Sequence, residues 1–242
     1  MDVFLTSDGL IGLLTLAALE IVLGVDNLVF IAIVSGRLPA AQQPLARKVG
    51  LALALITRVL LLLTLSWIMG LTQPLFHVFG VAVSGRAIIL FAGGAFLIAK
   101  ATWEIYAKVE LSHDEAQGRG GRRGFVSVVA QIMLLDIVFS LDSVITAVGM
   151  VDEIVIMVAA IVIAMIVMLL AMERVSHFVE SHPSVKLLAL AFLILIGVVL
   201  VADAFGHHIP KGYVYFSMAF SLGVELLNLR YRSHQRRSRP AA

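Results

Sequence analysis

Four acidic residues lie inside long apolar stretches of this chain, and their spacing repeats. Leu19-Glu20-Ile21-Val22-Leu23-Gly24-Val25-Asp26-Asn27 matches Leu135-Asp136-Ile137-Val138-Phe139-Ser140-Leu141-Asp142-Ser143. Each copy holds an acid, five intervening residues, a second acid and a small polar residue. The steps from Glu20 to Asp136 and from Asp26 to Asp142 are both 116 residues. An ionised carboxylate at the centre of a membrane helix costs about 2.5–3.5 kcal/mol. Four would cost on the order of 10 kcal/mol unless protonated, paired with a base or bound to a cation. Arg58 is the one deeply placed base, and one arginine cannot neutralise four acids. Surplus negative charge with oxygen-only ligands suits a hard divalent cation or protons.

Geometry restricts how these acids cooperate. Residues six apart on a helix differ by about 9 Å in rise and about 120° in rotation. Glu20 and Asp26 therefore cannot chelate one ion from an unbroken helix. Either each acid meets a partner on another helix, or the segment unwinds, with Gly24 and Ser140 at equivalent candidate breaks. The inverted copies lead us to expect Asp26 and Asp142 to approach each other, with Asn27 and Ser143 as neutral oxygen ligands. Glu20 and Asp136 then form gates or a second site. Glu225 and Asn228, one turn apart near the C-terminus, join Arg58 as candidate pathway residues. Asp203 is expected at the membrane interface, and His207-His208 in a solvated turn.

The elements that must position these residues are membrane helices. Of 242 residues, 60% are hydrophobic and 14% charged, where a soluble domain carries about a quarter charged. Apolar runs of roughly 18 residues or more span a bilayer. Seven spans are expected, at Leu10–Ser35, Val49–Gly70, Ala87–Trp103, Phe125–Met150, Ile154–Met172, Val185–Ala202 and Tyr213–Leu229. Three spans separate the starts of the two acidic copies, so the copies run in opposite directions, the inverted-repeat plan of many secondary transporters. The expected fold is an all-α polytopic membrane protein: an inverted three-plus-three repeat with one extra C-terminal helix. As one membrane domain, it comprises repeat one (10–103), a polar Gly/Arg-rich loop (104–124), repeat two (125–203), a seventh helix (213–229) and a basic tail (230–242). Gly93-Gly94 is expected to allow close helix approach.

Orientation follows from the basic residues. With the N-terminus outside, Arg37, Arg47, Lys48, Lys100, Lys108, Arg119, Arg122, Arg123, Arg174, Lys186 and the tail arginines fall in the cytoplasm. Only Arg86 and Lys211 fall outside. The acidic start, Met1-Asp2-Val3, argues against a cleaved signal peptide. The absence of cysteine excludes disulfides, thiolate metal sites and cysteine nucleophiles. A His-Glu-x-x-His motif, a serine nucleophile elbow and a phosphate-binding glycine loop are also absent, so neither enzymatic chemistry nor direct ATP drive is expected. No nucleic-acid partner is expected, and protein partners are unspecified.

The two acidic motifs, with Gln131-Ile132-Met133-Leu134 preceding the second, resemble signatures of the TerC family of integral membrane proteins. So do His182-Pro183-Ser184-Val185-Lys186 and Pro210-Lys211-Gly212-Tyr213-Val214-Tyr215-Phe216. The resemblance covers nearly the whole chain and matches the short members lacking an appended cytoplasmic domain. It implies association with tellurite resistance, export of manganese by some members, and kinship with the LysE-type exporters, which share an inverted repeat. The family's intramembrane acids fall on Glu20, Asp26, Asp136 and Asp142, with Asn27 beside them. An oxyanion would be repelled by such a pathway, so the chemistry favours a cation.

The expected function is a secondary transporter of the bacterial inner membrane that exports a divalent cation, Mn2+ foremost, with proton exchange as a coupling option. Asp26 and Asp142 bind the ion; Glu20 and Asp136 gate or shuttle protons. The expected partners are the bilayer, the cation and protons, with no resident cofactor. The alternatives are a scaffold for stress-response complexes and an exporter of another solute.

Overall fold

The computed structural model describes residues 7–64, 70, 72–78, 81–110, 124–148, 151 and 153–238. Its helices are α1 (Ser7–Ser35), α2 (Gln43–Leu63), α3 (Gly85–Val109), α4 (Phe125–Val148), α5 (Ile154–Ser181), α6 (Pro183–Ala204) and α7 (Lys211–Ser238). A short hairpin, β1 (Pro74–Val78) and β2 (Val81–Ser84), precedes α3. The chain is an all-α, multi-pass membrane protein, with one small strand pair among the described residues. Helices α1, α3, α4, α5 and α6 are long and apolar enough to cross a bilayer. Helix α2 carries Arg47, Lys48 and Arg58, and α7 runs on into its basic tail.

Local chemistry sets the boundaries. Pro44 opens α2 and Pro183 opens α6, positions where the missing N–H leaves no helical bond unmade. The Ser84 hydroxyl caps α3 by accepting from the Ala87 N–H at 3.1 Å. At the end of α6, Gly206 takes φ +81°. The His207 N–H then reaches the Ala202 carbonyl at 2.9 Å, and the Gly206 N–H reaches Asp203 at 3.0 Å. This is a left-handed glycine stop. Helix α7 extends past the expected end near Leu229, because Arg230–Ser238 keeps winding.

The hairpin departs from the sequence reading, which expected only a short connection there. Val78 pairs with Val81 and Phe76 with Val83, with an irregularity between Pro74 and Phe76. β-branched residues suit a pleated strand, and proline is tolerated at its start. The run is too short for an alternation signal to stand out from the apolar background.

Packing follows the repeat. The most extensive helix pairs are α3 with α6, α1 with α5, and α2 with α4. Exchanging the two halves turns α1·α5 into α4·α2 and returns α3·α6 to itself, as an inverted repeat requires. Helix α7 stands outside this scheme and rests chiefly on α6. At the α3–α6 crossing the backbones nearly touch. A Cβ on Gly94 would lie 2.6 Å from the Gly197 carbonyl oxygen, and one on Gly197 would lie 2.8 Å from that of Gly94. The core is continuous, with Phe30, Leu97, Ile132, Leu135 and Met168 buried in it. Outward faces carry large apolar side chains such as Leu14, Phe91, Leu170 and Phe216, as a lipid solvent allows.

Candidate functional site

Both acidic motifs lie on unbroken helices, which settles the choice between unwinding and separate partners. Gly24 is not a break. A Cβ there would collide with the Met168 side chain, so this glycine lets α5 approach α1. Ser140 keeps α4 helical and donates its hydroxyl to Asp136 one turn back, at 3.2 Å. With no unwinding, the two acids of each motif must face different surroundings.

The first acids of the two motifs meet at Arg58. This residue lies on the buried stripe of α2 formed by Arg47, Gly50, Leu51, Ala54, Arg58 and Leu62. Its Nη1 donates to Glu20 at 2.7 Å, and its Nε and Nη2 donate to Asp136 Oδ1 at 3.1 and 2.8 Å. Asn27 adds its amide to the same oxygen at 2.6 Å. The Thr57 hydroxyl lies 3.3 Å from the other oxygen of Asp136, alongside Ser140. All three charged groups are at most 3% exposed. A buried charge stands only when paired and hydrogen-bonded, and this cluster joins α1, α2 and α4 by doing so. Two carboxylates and one guanidinium leave a formal charge of −1 when all are ionised.

Asn27 donates its amide N–H to Asp136 and so sits with the Arg58 cluster. The rotation of one residue along α1 puts Asn27 on the α4-facing side and Asp26 on another. Ser143 lines a cavity with Asp26, and its hydroxyl donates to the Ser140 carbonyl at 3.3 Å, leaving its lone pairs available.

Asp26 is 8% exposed and makes no hydrogen bond or ion pair among the described residues. It borders two cavities. A small one of about 60 Å³ is lined also by Ser143, Asp203, Lys211 and Tyr215. A larger one of about 570 Å³ lies among α1, α5, α6 and α7; Arg174 and Tyr215 share it with Asp26. Asp142 sits on α4 between buried Leu141 and Ser143; its side chain lies outside the described residues, so its expected approach to Asp26 lies outside them too. Among the described residues no three His, Asp or Glu side chains gather as a ready metal-ligand set.

Asp203, expected at an interface, has a side chain only 2% exposed that meets the exposed ring of His208 at 3.1 Å. The glycine stop after α6 folds the His207-His208 turn back and so brings the two together. Glu225 is half-buried with Oε1 lacking a hydrogen bond among the described residues, and Asn228 is exposed. Neither borders the cavities around Asp26.

A second polar cluster went unnoticed in the sequence, where its arginine counted only toward orientation. Arg47, 4% exposed, donates to Glu173 at 3.0 Å, Glu180 at 2.6 Å, Ser35 at 2.9 Å and Gln43 at 3.2 Å. It ties α2 and the end of α1 to the C-terminal part of α5. Nearby, Arg37 and Lys100 both pair with Glu104, which ties the α1–α2 connection to α3. The available signal was helical spacing, since Arg47 shares the buried stripe of α2 with Arg58.

Comparison with known proteins agrees with this architecture. The profile of a family described as "Integral membrane protein TerC family" matches residues 5–239. A UPF0053 protein of Haemophilus influenzae is 52% identical over 92% of this chain and 94% of its own length. The Escherichia coli UPF0053 inner membrane protein YgdQ is 51% identical, covering 89% of this chain and 90% of its own. The Escherichia coli UPF0053 inner membrane protein YoaE is 54% identical over 90% of this chain, which spans 42% of that longer protein. No solved structure matches. With nearly its whole length matched, the chain belongs to the TerC family of integral membrane proteins.

Proposed function

We propose that this protein is a secondary transporter of the inner membrane that exports a divalent metal cation, Mn2+ foremost, with protons as the exchanged ion. The observation that carries this reading is Asp26: a buried carboxylate without a partner among the described residues, open to a cavity shared with Ser143. Arg58 balances one of the two formal charges on Glu20 and Asp136, so the larger share of the motifs' surplus negative charge falls on the second acids. A cation bound by Asp26 and Asp142, with the Ser143 hydroxyl as a neutral ligand, relieves that charge. Oxygen ligands of this kind suit Mn2+, Mg2+ and Ca2+. The family's association with manganese export favours Mn2+.

In this reading the Arg58 cluster acts as the gate at the centre of the helix bundle, and its net charge of −1 gives protons a second place to bind. With the N-terminus outside, the small cavity at the α6–α7 turn faces outward. The Arg47 and Glu104 ion pairs and the Arg174 end of the larger cavity then lie toward the cytoplasmic side, so Asp26 borders one cavity toward each face of the membrane.

The test is Mn2+ flux in proteoliposomes, comparing the native chain with Asp26→Asn and Asp142→Asn. Robust native flux, lost in correctly folded variants, is the expected result. Absence of flux for Mn2+, Mg2+ and Ca2+, with or without a pH gradient, would overturn the transporter reading and favour a membrane scaffold.

A further inference from the structure

Arg174 has three features that an interfacial basic residue does not need. First, the 116-residue step that relates the acids also carries Thr57-Arg58-Val59 onto Glu173-Arg174-Val175. Helices α2 and α5 are the second helices of their repeats, and they pack on α4 and α1 in exchanged pairs. Arg174 is thus the repeat counterpart of the arginine that pairs with two membrane acids.

Second, Arg174 shares the 570 Å³ cavity with Asp26, in a wall otherwise almost wholly apolar. Arg58 is buried and fully engaged, whereas Arg174 is exposed and makes no hydrogen bond or ion pair among the described residues. Two opposite charges therefore border one cavity, both unpaired among those residues. Lys211, a second cation beside Asp26, borders only the smaller cavity and already has an interaction of its own. The remaining charged group there is Asp203 on α6.

Third, the register allows contact. Gly24 abuts Met168 and Gly36 abuts Glu180, each 144 residues further on, so α1 and α5 run parallel in step. Asp26 is then level with Leu170, and Arg174 lies one turn beyond. Helical side chains lean toward the N-terminus of their own helix, which aims Arg174 back toward the level of Asp26. One turn is about 5.4 Å, within the reach of an arginine stem.

We propose that Arg174 is the tethered countercharge of Asp26: its guanidinium enters the shared cavity to pair with the carboxylate when no cation is bound, and withdraws when one binds. The competition with a transported cation rests on the function proposed above, whereas the pairing itself does not. The device keeps the empty carrier neutral at this acid and weakens the site's hold on the ion during release.

The experiment combines a double-mutant cycle with a binding measurement on the full chain in detergent. Melting midpoints in EDTA are compared for the native chain, Asp26→Asn, Arg174→Gln and the double variant, with Arg174→Lys as the charge-preserving control. Mn2+ affinity is then measured by calorimetry. Pairing makes the midpoint shifts non-additive, because each single change already removes the interaction. Competition makes Arg174→Gln bind Mn2+ about fivefold or more tightly, while Arg174→Lys stays near native. Additive midpoints would overturn the pairing, and Arg174 would then be an interfacial charge of the positive-inside kind. Coupled midpoints in a protein that binds no divalent cation would uphold the pairing and overturn the cation reading instead.

Discussion

The Arg58 guanidinium pairs with two carboxylates buried inside the helix bundle. Removing one partner of such a buried set leaves a charge uncompensated, at a cost of about 3–5 kcal/mol. Arg58→Gln is therefore expected to lower thermal stability in detergent by that order. The triple variant Arg58→Gln, Glu20→Gln, Asp136→Asn should recover much of the loss, because no charge remains stranded. A triple variant no more stable than Arg58→Gln would show that the cluster matters through shape rather than charge. Asp26 should be less sensitive. It makes no hydrogen bond or ion pair among the described residues and stands to lose at most the pairing with Arg174 proposed above, so Asp26→Asn is expected to lower the melting midpoint by less than Arg58→Gln, even as flux disappears.

Helix α5 is fastened to the first repeat midway along its length, by Met168 over Gly24, and in its C-terminal part, by Glu173 and Glu180 on Arg47. Glu173 and Glu180 are partly exposed, so the clamp contributes less to stability than to the choice of conformation. Arg47→Ala is expected to raise labelling, by a cytoplasmic-side thiol reagent, of a single cysteine introduced at Ser35, and unchanged labelling would sink the idea of a latch there. The α3–α6 crossing is less forgiving. A side chain at Gly197 meets backbone and the Ile98 side chain at once, and overpacking of this kind costs roughly 1–3 kcal/mol. Gly197→Leu should therefore lower the melting midpoint, whereas Gly223→Leu on α7, which has open space around it, should not.

Across the whole molecule, the exchange of helix pairs between the two halves suggests that both cavities around Asp26 belong to one alternating pathway. The orientation that makes the small cavity an outer exit can be tested directly, because the native chain contains no cysteine. A cysteine at His208 should be labelled from outside intact cells, and one at Ser233 only after permeabilisation. The reverse pattern would make the same geometry an importer's entry side.

Much of this protein was legible in its residues. Long apolar runs fix membrane helices because hydrocarbon leaves the backbone no other way to satisfy its hydrogen bonds. The repeated acids mark a central site because an ionised group there is too costly to be incidental. Even the close approach at Gly94 could be read from composition, since small residues are what let helices touch. Which acid faces which partner could not be read. That depends on rotations of about 100° per residue and on the register between helices distant in sequence. Only the packed bundle assigns Arg58 and Asn27 to Asp136, leaves Asp26 open to its cavities, and gathers Arg47 with Glu173 and Glu180. The hairpin at Pro74–Ser84 likewise escaped notice, because cross-strand pairing in so short a run is a tertiary outcome and leaves no periodic signal.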